Sequence, residues 1–384
     1  MLPMNMNIAL VSHLAFPPYI GGVEKYVYNI AKILTMHGNN VEIFSTNPQD
    51  SLNKDEYIDQ IHYHRYLSIS PFKIYYFSPS LQTDLFLLKN FDIVHANAYG
   101  TFPVLASALA KGNNNLPLIV QPHFAAPRVS KVLHQVYGPT LGKYVFDICD
   151  KVILVSQAEL TFLPMLNQYT RKSVCIPNGV DFEIIDPYYS GGKLKDFNSL
   201  NIVCVSRLEK NKGVQHVLYL LNNLKDLYPF HLDVIGEGSY RHELEQITKR
   251  LGLNEEVQFL GRISEDALYN VYARANILFA LSDYESHSFS LIEAMAFGVV
   301  PIATRVGGNR FTIDDCQNGI LAPFPVNLSY MKSVFQDLIT HPSYLMTLSS
   351  NARKKAMLEF NIRKNVMKLI QLYEAVIAEQ NHNS

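Results

Sequence analysis

The chain has 384 residues, 48% hydrophobic and 17% charged, with 33 Lys+Arg against 34 Asp+Glu and a net charge of −1. This composition excludes a largely disordered chain, leaves length for two domains with cores of their own, and offers no basic excess for nucleic acid. Cys149, Cys175, Cys204 and Cys316 are widely separated, without a CxxC pair or a Cys/His metal spacing, so four reduced, buried thiols are expected.

The amino terminus, MLPMNMNIALVSH, runs directly into a short apolar strand. It has no basic stretch or cleavage site of a signal peptide, and no run of about 18 apolar residues follows, so a cytoplasmic protein without a membrane span is expected. NIALVSH predicts a strand, LAFPPYIGG a Pro/Gly loop, and VEKYVYNIAKILTMHG a helix with apolar residues at helical spacing and Gly38 at its end. NVEIFST is the next strand, which completes a βαβ unit and implies a parallel sheet. DIVHAN, PLIVQPHF and KVILVSQ predict three more apolar strands, which finish in His95 and Asn97, His123, and Ser156 and Gln157. Ligands of open α/β sheets bind beyond the carboxyl ends of the strands. His95 and His123 are therefore candidates for contact with a phosphate or a sugar hydroxyl, or equally for packing.

A Pro-Asn-Gly turn at 177–179 opens a polar, Pro-rich connection, and the pattern then restarts. LNIVCVSRL, FHLDVIGEG, EVQFLGRI, NILFALS and VVPIATRV predict five strands alternating with helices, and helices fill the tail from Tyr330. Two successive αβ arrays predict two doubly wound Rossmann-like domains facing a central cleft. The expected divisions are 1–185, 186–360 and a terminal helix, 361–384, packed back on the first domain.

Three stretches of the second array carry candidate chemistry. Arg207 and Lys212 in VSRLEKNKG follow a strand end, where a planar fork and a point charge suit a diphosphate, although a solvated basic turn fits as well. Gly236 and Gly238 in VIGEGSYRHEL could open a phosphate loop, but Arg241 stands at the third glycine position of GxGxxG, and a tight strand–helix turn explains the pair. DYESHSFSLIEAMAFG places Glu285 and Glu293 in an E-x7-E pattern. Ser290-x-x-Glu293 matches a capping box, which gives Glu293 a structural role that Glu285 lacks. Glu285 lies in the strand–helix loop, beside free N–H groups that favour an anion. In the first array, Gly21 and Gly22 permit close approach of backbone to a ligand, or simply a turn.

Taken in order, GGVEKYVYNIAKIL, DIVHAN, VQPHF, VSQAE, IPNGVDFEIIDP, VSRLEKNKG, VIGEGSYRHEL, VQFLGRI and LSDYESHSFSLIEAMAFGVVPIATRVGG resemble the retaining GT-B glycosyltransferases of family 4, the glycogen-synthase-like and mannosyltransferase-like group. The resemblance implies a hexosyltransferase that draws on a UDP- or GDP-hexose donor, with no cofactor and no metal. It implies that Arg207 and Lys212 neutralise the donor diphosphate and that the N–H groups around Phe289, Ser290 and Leu291 cap its phosphates. Glu293 would hold the ribose, Glu285 and His123 the transferred sugar, and Gly21 and Gly22 would line the donor site. The sequence departs from the family at His287-Ser288, where Phe-Gly is usual, at Asn309-Arg310 after Gly307-Gly308, and in lacking a Trp before its last helix.

The resemblance also implies that the first domain binds the acceptor, a glycan or a lipid-linked sugar. SPFKIYYFSPSLQTDLFLL and APRVSKVLHQVYGPTLGKYVF mix aromatic, apolar and basic residues there. They fit a peripheral contact with an anionic membrane face, or a lid and a buried helix. Three other functions remain open to the sequence: a nucleotide-sugar 2-epimerase of GT-B fold, a nicotinamide-dependent oxidoreductase resting on GEGSYR alone, and a catalytically silent sugar-nucleotide binder.

Overall fold

The computed structural model describes residues 5–19, 21–48, 52–70, 75–114, 116–124, 137–189, 191 and 199–383. The chain forms two compact units, Met1–Asn178 with Ile362–Ser384, and Gly179–Asn361. The first division thus falls ahead of the expected 185/186, because the segment after Gly179 packs Val180, Phe182 and Ile185 into the core of the second unit.

In the first unit, β1 (Asn7–Ser12), β2 (Asn40–Asn47), β3 (Asp55–Ile58), β4 (Ile61–Leu67), β5 (Ile93–Asn97), β6 (Leu118–Gln121), β7 (Lys151–Leu154) and β8 (Ser173–Cys175) form one sheet, in the order β3-β4-β2-β1-β5-β6-β7-β8. Every pairing is parallel except β3 with β4. In the second unit, β9 (Leu200–Val205), β10 (Phe230–Ile235), β11 (Val257–Gly261), β12 (Ile277–Ala280), β13 (Val300–Thr304) and β14 (Ile320–Ala322) form a fully parallel sheet, in the order β11-β10-β9-β12-β13-β14.

The continuous apolar runs of the strands have a direct cause. Side chains alternate across a strand, and Ile202 and Cys204 of β9 enter one core cluster while Val203 enters another on the opposite face. With both faces covered, no polar alternation survives. The strand order reverses between β9 and β12, and between β1 and β5. At such switch points, the loops beyond the carboxyl ends diverge and leave a crevice.

The helix Ile362–Asn383 completes the first unit. Tyr373 meets the fully buried His95 on β5, with Nδ1 and the hydroxyl 2.6 Å apart, and Asn365 donates to the Pro177 carbonyl at 3.1 Å. Burial drives the His95 pKa down to about 3. His95 is therefore a neutral packing residue. Cys149 and Cys204 are buried as expected, but Cys175 and Cys316 are exposed free thiols. Among the described residues, no helix is long and apolar enough to cross a membrane.

Candidate active site

The second unit gathers Lys212, Glu285 and a helix amino end at the switch point between β9 and β12. Beyond β9 the chain turns through Lys210–Lys212 to Gly213, which adopts φ +76°. A Cβ on Gly213 would lie 2.0 Å from the Leu281 carbonyl oxygen, so only glycine lets this loop touch the end of β12. The Asp283 N–H donates to the Asn211 carbonyl at 2.9 Å and joins the two loops. The Lys212 ammonium consequently forms an ion pair with Glu285 Oε1, and both side chains are mostly buried. Ser282 donates to the same carboxylate oxygen at 3.0 Å, and the Glu285 carbonyl accepts from the Gly308 N–H at 2.8 Å. The countercharge of Glu285 is thus built in from the neighbouring loop.

The helix Phe289–Ala296 begins one turn beyond Glu285. Its N-cap is Ser288, whose hydroxyl makes no capping bond and instead meets the Ser290 hydroxyl at 3.0 Å. The first-turn N–H groups of Phe289, Ser290 and Leu291 have no acceptor within the helix. Ser206, Lys212, Ser282, Glu285, Ser288 and Ser290 line one small recess over Cys204 and Phe279. The expected capping box is absent, because the helix starts at Phe289 and puts Ser290 inside it. Glu293 is buried in the following turn, and Tyr272 donates to its Oε2 at 3.4 Å. Burial and the adjacent carboxylate raise the Tyr272 hydroxyl well above its ordinary pKa, so it stays a donor.

Gly236 and Gly238 have packing reasons of their own. Gly236 sits at φ +132°, and a Cβ there would come 1.9 Å from the Ser206 carbonyl oxygen; one on Gly238 would come 2.2 Å from that of Leu208. The loop beyond β10 therefore lies flat on the loop beyond β9, held by the Leu208 N–H to the Glu237 carbonyl and the Tyr240 N–H to the Leu208 carbonyl, both at 2.9 Å. Arg241 opens the next helix and pairs with Glu237 and Glu245 at 2.6 and 2.8 Å. Arg207 is exposed, and among the described residues its guanidinium makes no hydrogen bond or ion pair.

The first unit brings together a different set. The loop His13–Tyr19 is held down by Tyr63 donating to the Phe16 carbonyl at 2.9 Å and Arg65 donating to that of Pro17 at 3.0 Å. It leads to Gly21, the N-cap of the helix Gly22–Met36, where a Cβ would lie 2.1 Å from Glu24 Oε2. Glycine at 21 therefore makes room for Glu24, whose pKa is raised by burial. Gly22 is exposed at the helix start.

His123 follows β6 in a left-handed conformation, φ +49°. Its Nε2 lies 3.1 Å from Asn97 Oδ1 and its ring stands edge-on to Tyr26 at 4.9 Å. The adjacent Phe124 N–H donates to Glu159 Oε1 at 2.6 Å, and Glu159 Oε2 accepts from the Val155 N–H at 2.8 Å. Glu159 is fully buried, and burial pushes its pKa up to about 8 against the pull of those two bonds. Sequence reasoning gave this carboxylate no role. Its only signal was its place in VSQAE, directly after a strand end.

Residues 20–184 match the family described as "Glycosyltransferase Family 4" and residues 192–355 that described as "Glycosyl transferases group 1". The chain belongs to glycosyltransferase family 4. It is 27% identical over 362 residues to an uncharacterised glycosyltransferase of Methanocaldococcus jannaschii, covering 93% of this chain and 95% of that one. It is 28% identical over 320 residues to a component of the human phosphatidylinositol N-acetylglucosaminyltransferase, over 79% of this chain and 62% of that protein. The sucrose-phosphate synthase structure from Thermosynechococcus elongatus superposes with a TM-score of 0.79 at 20% identity, covering 97% of this chain and all of that one. Anabaena Alr3699/HepE in complex with UDP-glucose does so with 0.75 at 19% identity, covering 97% and 100%. The two Rossmann-like units are those of the GT-B fold.

Within this family 4 glycosyltransferase, the structure gathers Lys212, Glu285, Ser290 and the first turn at Phe289–Leu291, and orders Gly236 against the same loop. Glu293 lies one turn deeper in the helix. His123, Gly21 and Gly22 belong to the other unit. The departure at His287 is also explained. Its ring is buried and stands edge-on to Phe360 at 5.5 Å, the place of an aromatic packing residue. The oxidoreductase reading loses its basis, since the GxG is accounted for by loop packing and Arg241 by its ion pairs.

Proposed function

We propose that this glycosyltransferase transfers a hexose from a UDP- or GDP-hexose to an acceptor hydroxyl with retention of configuration and without a metal. One observation carries the reading. Lys212, Glu285 and the helix start at Ser288 and Ser290 line one recess at the switch point of the second unit. An ammonium beside free N–H groups at a helix amino end suits a diphosphate, and a carboxylate next to it suits sugar hydroxyls. Exposed Arg207 supplies a second cation from the same loop.

As the bond from the anomeric carbon to the diphosphate oxygen breaks, charge grows on the leaving phosphate, and Arg207, Lys212 and the helix end stabilise it. The acceptor oxygen bonds to the anomeric carbon on the face the phosphate leaves, and its proton passes to a phosphate oxygen. No enzyme nucleophile is required. Glu285 holds the transferred sugar and Glu293 the ribose, and the first unit, which carries His123, Gly21 and Gly22, receives the acceptor. A relative named for transfer to phosphatidylinositol and a solved relative bound to UDP-glucose support a lipid-linked or glycan acceptor and a uridine donor. The stretches proposed to touch an anionic membrane face are 70–88 and 126–146; residues 71–74 and 125–136 lie outside those described.

The test is a panel of nucleotide sugars scored by nucleoside diphosphate release with and without acceptor and with chelator added. Release is expected with one donor class and to persist under chelation. Glu285→Ala and Lys212→Ala are expected to lower it by about 100-fold or more while retaining the fold. Wild-type turnover in both variants would sink the assignment. Epimerisation of UDP-N-acetylglucosamine with no acceptor present would replace it with the isomerase.

A further inference from the structure

The edge of the first sheet holds a second cluster of chemistry-bearing side chains. β4 carries His62 and His64, and the two-residue period of a strand turns both to one face. β2 pairs with β4 so that Glu42 stands opposite His62, and β3 pairs on the other side so that Asp55 stands opposite His64. Three strands thereby converge two imidazoles and two carboxylates.

We propose that Glu42, His62 and His64 bind one divalent transition-metal ion of the zinc class. One ligand atom from each lies within 4.8 Å of the others. Glu42 Oε2 is 2.6 Å from His64 Nε2 and 3.7 Å from His62 Nδ1. Ligands of a tetrahedral zinc ion stand about 3.4 Å apart, given metal–ligand bonds of about 2.1 Å, so the spacing needs only small side-chain adjustments. Two imidazoles with one carboxylate select zinc and its neighbours over calcium or magnesium, which prefer all-oxygen shells.

Asp55 supplies the outer support that such sites use. Its Oδ1 lies 2.7 Å from His64 Nδ1 and 3.9 Å from His62 Nε2, the nitrogens that face away from the ion. Accepting from Nδ1–H fixes the His64 tautomer that leaves Nε2 free to ligate. Both rings are also held in place, His64 stacked on Phe44 at 4.6 Å and His62 on Tyr57 at 4.3 Å. The three ligands retain roughly a fifth of their side-chain exposure, from 16% for His64 to 23% for His62, which leaves an entry path and a fourth position for water. With no ion bound, Glu42 and His64 meet directly, Oε2 to Nε2, at 2.6 Å. A bound ion would instead tie β2 to β4 and, through Asp55, to the edge strand β3.

The experiment titrates chelator-treated full-length protein with Zn2+ alone, by calorimetry and by competition with a chromophoric chelator, and records the melting temperature with and without the ion. Saturable binding of one Zn2+ per chain is expected, with a rise in melting temperature. Both are expected to disappear in Glu42→Gln and in the His62→Asn/His64→Gln double variant. Asp55→Asn keeps all three ligands and is expected to weaken binding by about 10–100-fold. It also serves as the folded control if the histidine double variant does not fold. Absence of saturable binding, or stoichiometric binding unchanged in Glu42→Gln and Asp55→Asn, would overturn the proposal and leave a hydrogen-bonded cluster only.

Discussion

At the scale of single residues, the ion pair between Lys212 and Glu285 sets the terms of the proposed donor site. An incoming diphosphate competes with Glu285 for the ammonium, and Glu285 then depends on Ser282 and on whatever hydroxyls the ligand presents. A donor that brings its sugar compensates the carboxylate, whereas a bare nucleoside diphosphate does not. His287 shows a different residue-level effect. Burial depresses its pKa to about 4, below its ordinary 6.5. The unfolded chain therefore takes up a proton between those values that the folded chain refuses, and stability is lost as pH falls from about 6.5 towards 4. His287→Phe keeps an aromatic ring against Phe360 and removes this proton. Unfolding free energies from urea titration are expected to fall by about 2 kcal/mol less from pH 7 to pH 5 in the variant. An unchanged drop would show that His287 does not carry it.

At the scale of elements, the loop bearing Glu285 is held from behind by the turn after β13. A Cβ on Gly308 would lie 1.7 Å from the Ser286 carbonyl oxygen, and the Gly308 N–H already donates to Glu285. Gly308→Ala is expected to push this loop outward, costing about 1–3 kcal/mol and lowering donor turnover along with the melting temperature. A variant that melts as the wild type would count against that tight fit. The elements themselves differed in how readily the sequence disclosed them. Strands β1, β2, β5–β7 and β9–β13 were legible because burial on both faces makes them continuous apolar runs, whereas the three-residue strands β8 and β14 were too short to stand out. The β3–β4 hairpin was not, since its turn uses Asp59 and Gln60 at φ 49° and 65°, where glycine would have announced it. The helix at Phe289–Ala296 was legible, but its register was not. Ser290-x-x-Glu293 satisfies a capping box on paper, while the backbone begins the helix at Phe289. Partnerships between distant positions, such as Glu285 with Lys212 or Glu293 with Tyr272, depend on strand order and leave no local mark.

For the whole molecule, the switch points of two separately built sheets place the candidate residues at loop ends. The first sheet is finished by a helix from the far end of the sequence, and its buried contact is His95 with Tyr373. Tyr373→Phe removes that partner and is expected to cost about 1–3 kcal/mol, read as a lower urea midpoint. An unaltered midpoint would mean that the contact contributes nothing. The same contact fixes an order of events on the ribosome. Every residue of Gly179–Asn361 is synthesised before the helix Ile362–Asn383 emerges, so the second unit can complete its core while the first still lacks a wall. Nascent chains usually finish their amino-terminal domain first. Here the domain begun first is closed last, and its unfinished surface, on the helix Gly22–Met36 and around His95, is what a chaperone would have to shield in the interval.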